Sequence, residues 1–423
     1  MSLRYAMADP PGQSRPPVVM VRLAWLLYAL LWLAAPLVLH TGLHLSLLSQ
    51  IGIASIVCLS YNILLGQGGM LSFGHALYSG MGAFLAMLTL QRVAGGWPVP
   101  VSLMPLVGGL AALVLALLLG WVTTRKSGMP FAMITLGLGE LAWSAALMFP
   151  GFFGGEGGQS GDRTAGLRAG NWTLGPAWQL HYLVAAYTLA CTALIYGFTR
   201  TPLGRLLNAA RDNAERVAFT GHDPHMVRYL ALVIAAFFAG ISGGLAALHF
   251  EVVTSDVLSG QRSGTYLLFT VLGGTGFFVG PIIGAVVMVL SLALLSALTP
   301  AWLLYLGLGF MLVVMYLPGG LASLASASFR RRVFRHWRQA PWCSLAWLGA
   351  GVMTCTGLAA LVELAYQWHL RAVLGDTLRF LSVPLHTGAP GSWLSAAVVA
   401  LAGALAMRWL ARRMALMAAP HSS

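Results

Sequence analysis

Apolar positions in this chain neither alternate with polar ones nor keep to one helical face. They run on in blocks close to the roughly 20 residues that carry an α-helix across a hydrocarbon core. The blocks fall at about 22–40, 44–65, 75–90, 101–123, 130–149, 180–198, 229–249, 281–298, 302–318, 343–366 and 392–410, with a shorter descending helix before Gly273. The pattern predicts an all-α fold: a polytopic helical membrane protein of about twelve membrane segments. Two places interrupt the apolar rule with glycine. One is GQGGMLSFG at 66–74; the other holds Gly273, Gly274, Gly276, Gly280 and Pro281. Both predict broken helices.

The largest polar interruption is RTPLGRLLNAARDNAERVAFTGHDPHMVR, Arg200–Arg228, with five arginines and three acids. It predicts one amphipathic helix, Gly204–Thr220, ended at Gly221 and held by something outside the membrane. The remaining polar stretches divide the chain into a tail (1–21), a membrane domain (22–320), a basic linker (321–342, with FRRRVFRHWRQ) and a C-terminal two-helix hairpin with a short tail (343–423). Leu23–Leu39 lacks a small-residue cleavage site and reads as an uncleaved anchor.

Composition agrees with the pattern: 58% hydrophobic, 8% charged, against about 25% charged in soluble domains. The net charge of +13 is explained by orientation rather than by nucleic acid. On the topology above, eighteen of the 24 Lys and Arg residues fall on one side, the bias of cytoplasmic loops. Both termini, Arg125/Lys126 and the 200–228 stretch come out cytoplasmic. The 150–179, 250–263 and 367–391 loops come out on the far side. Cys58, Cys191, Cys343 and Cys355 lie in or beside apolar runs and read as packing residues.

Chemistry is sparse. Ser72, His75 and Ser79 at i, i+3 and i+7 predict one helical face, either a pore-lining stripe with Gln67 or interhelical hydrogen bonds. Glu140 sits mid-span, where an ionised side chain costs on the order of 3 kcal/mol. It therefore needs a partner or a proton, and serves either transport or structure. Gly240–Gly244 and Gly280–Gly284 repeat the small-xxx-small spacing of close helix crossings. Gly158-Gln159-Ser160-Gly161 matches a serine intramembrane-protease string, with His181 as the one possible partner, in a far-side loop rather than a helix tip. Lys126, the only lysine, follows Arg125 where a phosphate-binding loop needs glycine. No metal-ligand cluster stands out.

Five stretches, in order, are similar to the permease subunits of bacterial ABC importers for branched-chain amino acids, of the LivM-like type. They are YNILLGQGGMLSFGHALYSGMGAF, GMPFAMITLGLGE, FFGGEGGQSGDR, PLGRLLNAARDNAERVAFTGHD and VLGGTGFFVGPIIGA, spanning roughly 45–320. The resemblance implies a multi-pass protein of the bacterial inner membrane that binds no cofactor itself. ATP would be used by cytoplasmic ABC ATPase subunits, alongside a second permease subunit and a periplasmic solute-binding protein. It assigns ATPase coupling to Arg205, Arg211, Asp212, Asn213, Glu215, Arg216 and Gly221. Ala214 stands where the family often carries an acid, with Glu215 following. In such an importer the glycine-broken segments, the Ser72/His75 stripe and the mid-span acid predict a translocation path along Gln67, Ser72, His75, Ser79, Glu140, Gly273, Gly274 and Gly276. The two C-terminal spans match no family motif; packing, assembly and contact with membrane lipid are their open roles. A proton-coupled secondary transporter relaying through Glu140 is the alternative, and an intramembrane enzyme a third reading.

Overall fold

A computed structural model of the protein describes residues 18–38, 41–165, 173–299, 301–317, 319–325, 341–369, 377–380, 383–386 and 388–418. The basic cluster at 329–339 lies outside them. Every apolar block forms a helix. In chain order these are α1 (Val18–Val38), α2 (Gly42–Asn62), α3 (His75–Ala94), α4 (Met104–Thr123), α5 (Met129–Met148) and α6 (Ala177–Arg200). The polar stretch supplies α7 (Pro202–Asp212) and α8 (Ala214–Phe219). Then follow α9 (Pro224–Phe250), α10 (Gly260–Gly273), α11 (Gly280–Leu290), α12 (Trp302–Tyr316), α13 (Pro341–His369) and α14 (Pro390–Ala418). Among the described residues, 7 helices are long and apolar enough to span a membrane, with shorter apolar helices at Arg22–Leu37, Gly280–Leu295 and Trp302–Tyr316. The protein is a polytopic helical membrane protein.

Helix starts differ with environment. Side-chain N-caps occur in the polar segments, where Thr201, Asn213, Asp223 and Ser259 accept from backbone N–H groups of the first turn. The apolar α4, α5 and α11 instead begin on Pro105, Pro130 and Pro281, whose missing N–H removes one donor that nothing else would satisfy.

Two compact units emerge. The larger holds the chain through Leu295 together with Gly309–Ser323. Its centre is α9, whose most apolar window is 78% buried by protein, against 28% for α5. Close approach explains why α9 can be central. A methyl added to Gly82 on α3 would lie 2.6 Å from Gly240 Cα, and one added to Gly108 on α4 would lie 2.7 Å from Gly240 O. Three backbones therefore meet where no side chain intervenes, the close crossing expected of Gly240–Gly244.

Between α2 and α3 the chain unwinds. A π-helical turn, Ile63–Gln67, ends α2, and 68–74 follows without helix. Buried backbone groups must still be satisfied. Tyr61 donates to Ser72 O at 2.7 Å, Phe73 N–H to Thr135 Oγ1 at 3.2 Å, and Ala76 N–H to Ser263 Oγ at 2.9 Å. Side chains of neighbouring helices thus replace the missing turns.

The smaller unit comprises Ser296–Leu308 and the chain from Leu324 onward. Within it α13 packs on α14 through small residues. A methyl on Gly357 would meet Ala400 Cα at 2.7 Å, and one on Gly403 the Thr354 Oγ1 at 2.5 Å. Glu363 is buried on α13 and accepts hydrogen bonds from Thr299 and, at 3.2 Å, from Tyr305. A strand pair, β3 (Thr377–Phe380) with β4 (Val383–His386), lies between these helices in sequence; the apolar pattern gave no sign of it.

Candidate functional site

The single helix expected over Gly204–Thr220 is two helices. At Asn213 the backbone is extended (φ −159°, ψ 102°), and its side-chain oxygen accepts from Arg216 N–H at 3.0 Å. Asn competes for local backbone donors more effectively than it supports a helix interior, so it ends α7 and caps α8. Gly221, at φ +84°, closes the segment.

The segment has an inner and an outer side. Leu207, Ala210 and Val217 are buried. Asn208 Nδ2 donates to Gln67 Oε1 at 2.6 Å, and Arg211 donates to the carbonyl of Gly66. Arg211 also lies across Gly69, where an added methyl would stand 2.6 Å from its Cγ and the backbone is left-handed at φ +63°. Gly69 is thus constrained by both space and conformation. Arg205, Asp212, Asn213, Glu215, Arg216 and Gly221 are exposed. Arg211 pairs with Asp212 at 3.2 Å, but the aspartate side chain is 71% exposed, so that bond adds little. Beside the charges stands Phe219, 91% exposed. Of the seven residues assigned to coupling, Arg211 turns inward and the other six outward. Sequence reasoning missed Asn208 and Phe219; a lone aromatic on the polar helix was the available signal for the second.

The path candidates separate. Gln67 is engaged by Asn208. Ser72 precedes α3, whose first residue is His75, so the expected three-residue helical face does not form. Ser72, His75 and Ser79 are all buried. His75 Nε2 is 2.9 Å from Ser60 Oγ, while His75 Nδ1 and Ser72 Oγ have no hydrogen-bond partner among the described residues. Ser79 borders a cavity formed with Gln50, Ser242, Arg262 and Tyr266. Gly273 and Gly274 are packed against Gly280 and Gly319, whereas Gly276 is open. Glu140 lies on the exposed face of α5, its carboxylate against Gly260. It has no hydrogen bond or ion pair among the described residues.

At the other end, two loops join. β1 (Gln159–Ser160) pairs antiparallel with β2 (Val252–Val253). Arg163 donates to the carbonyls of Leu174 (2.8 Å), Gly175 (3.2 Å) and Leu248 (3.3 Å), and lies 3.8 Å from Glu251. The guanidinium thereby satisfies the C-terminal carbonyls of α9. Asp162 accepts from the hydroxyl and the N–H of Thr164, which hold its carboxyl below the usual range. Ser160 lies in β1, and its carbonyl accepts from Gln91. His181 is buried beside Ser49 and Trp32 O, so the two protease candidates are not hydrogen-bonded.

Residues 43–317 match the family model for the permease component of branched-chain amino acid transport systems. Among curated relatives, the chain is similar to the high-affinity branched-chain amino acid transport system permease protein LivM of Escherichia coli (strain K12). The identity is 28% over 290 residues, covering 63% of this chain and 67% of the relative. A probable LivM of Methanocaldococcus jannaschii is 25% identical over 315 residues (64% and 90%). The permease protein LivH of Escherichia coli (strain K12) is 22% identical over 265 residues (57% and 82%). No solved structure matches significantly.

Proposed function

Since the chain belongs to the permease family of branched-chain amino acid transport systems, we propose that it is the membrane subunit of an ATP-driven importer of branched-chain amino acids or related small polar solutes. One observation carries the coupling role. The water-exposed α7–α8 segment is bonded, through Arg211 and Asn208, to Gly66 and Gln67 at the unwound junction of α2 and α3. Force applied to the segment reaches the membrane helices at their least regular point.

In this reading the outer face, with Arg205, Glu215, Arg216 and Phe219, docks on a cytoplasmic ATPase that binds and hydrolyses the ATP. The joined β1–β2 loops receive a periplasmic solute-binding protein. Lipid is a poor neighbour for the exposed Glu140, at about 3 kcal/mol, so a second permease subunit, or water in a path shared with it, covers α5. The assembly sits in the bacterial inner membrane with both termini cytoplasmic. The test is co-purification with the ATPase and solute-stimulated hydrolysis in nanodiscs. Deleting residues 204–221 abolishes both; an ATPase complex that survives the deletion refutes the docking role. Phe219→Ala weakens ATPase affinity about tenfold, the size of an aromatic anchor's loss, with the melting temperature unchanged because the ring packs on nothing.

A further inference from the structure

The cavity bordered by Ser79 brings a cation, Arg262, together with apolar side chains. Its volume is about 140 Å³, room for roughly ten water-sized spheres and so for a solute of about that many heavy atoms. Its lining includes the apolar Val57, Met288 and Val289 and the polar Gln50, Ser242 and Arg262. No acid lines it.

Arg262 belongs to the first turn of α10, whose N-cap is Ser259. A cation there opposes the helix dipole rather than complementing it. Its Nε is buried without a hydrogen-bond partner, and its guanidinium carbon stands 6.0 Å from the Tyr266 ring. Two acids lie near the same turn. Asp256 is in the preceding 3₁₀ turn and Glu140 lies against Gly260, yet neither forms an ion pair with Arg262 among the described residues. Packing has thus left a positive charge with an unmet donor in the lining of a small space that holds no other charged side chain. That arrangement attracts an anion, and a guanidinium favours a planar two-oxygen one. The apolar lining of Val57, Met288 and Val289 accepts a branched aliphatic group. Ser242 Oγ, which donates to Ile53 O at 2.9 Å, keeps lone pairs for an ammonium, as does Gln50 Oε1.

We propose that this cavity is a transit site for a zwitterionic amino acid, in which Arg262 receives the α-carboxylate and Val57, Met288 and Val289 receive the aliphatic side chain. The solute class rests on the permease reading above; the carboxylate preference rests on Arg262 and the cavity.

The test is saturation-transfer NMR on the purified full chain in nanodiscs, with three probes. L-leucine has both charges, 4-methylpentanoate keeps the carboxylate alone, and L-leucinamide keeps the ammonium alone. Leucine and 4-methylpentanoate bind and leucinamide does not. Arg262→Gln weakens both by at least tenfold while Arg262→Lys retains part, and unchanged circular dichroism and elution show that the variants fold. Leucinamide binding equal to leucine, or leucine binding unaltered in Arg262→Gln, overturns the proposal, as does no binding by the wild type. Uptake by the assembled importer separates the two readings. Leucine uptake independent of Arg262 removes the site and keeps the permease. Carboxylate binding at Arg262 without ATP-driven uptake keeps the site and removes the importer.

Discussion

Arg211 and Arg216 lie five positions apart on the polar segment, yet their substitutions should read out differently. Arg211 donates to Gly66 O and lies over Gly69. Arg211→Ala removes a charge-assisted bond, a loss of about 1.5–3 kcal/mol, visible as a lower melting temperature and as uncoupled ATP hydrolysis. The Arg216 side chain is exposed and makes no bond among the described residues; Arg216→Ala should stay within about 0.5 kcal/mol in stability and, on the proposed docking, weaken ATPase binding. Gly240→Leu is the opposite case. It forces a branched side chain into the meeting of α3, α4 and α9, where an added methyl already stands 2.5 Å from Ala112 Cβ. Overpacking costs about 1–3 kcal/mol or more, so a marked drop in melting temperature in detergent is expected.

Among the elements, the long apolar helices were legible because hydrophobic run length alone specifies them; most boundaries lie within a few residues of the expected ones, while α14 runs eight residues past its expected end. The breaks were legible as glycine clusters, but their geometry was not. Ser72 fell outside α3 because the chain re-enters helix only at His75, after its backbone has found Thr135 and Ser263. Those partners are 62 and 187 positions away and leave no local trace. Asn213 was visible as a residue and hidden as a cap, since Arg-Asp-Asn-Ala-Glu is compatible with helix until tertiary contacts hold α7 on one side. Asn213→Ala removes the cap of α8, at about 1 kcal/mol, and amide exchange over 214–219 accelerates while that of α9 does not.

For the whole molecule, the α7–α8 segment, the Arg262 cavity and the β1–β2 loops all belong to the larger unit, and the family match ends at residue 317. A chain truncated after residue 325 should therefore retain ATPase binding and solute-stimulated hydrolysis, assayed by co-purification and phosphate release. The class of molecule was readable from hydropathy. The pairing of β1 with β2 was not, because it joins segments some 90 residues apart by backbone hydrogen bonds that carry no side-chain signature.

The break at Asn213 changes what kind of mechanical part the segment is. A one-piece rod passes on both thrust and torque. This one is cut by a single extended residue: α7 is fastened to Gly66 and Gln67, while α8 bears Phe219 on the free side. In the proposed coupling, a push at Phe219 reaches the glycine junction across that extended residue rather than along one continuous helix. If a motor docks there as proposed, its travel should reach the membrane helices more readily than its rotation.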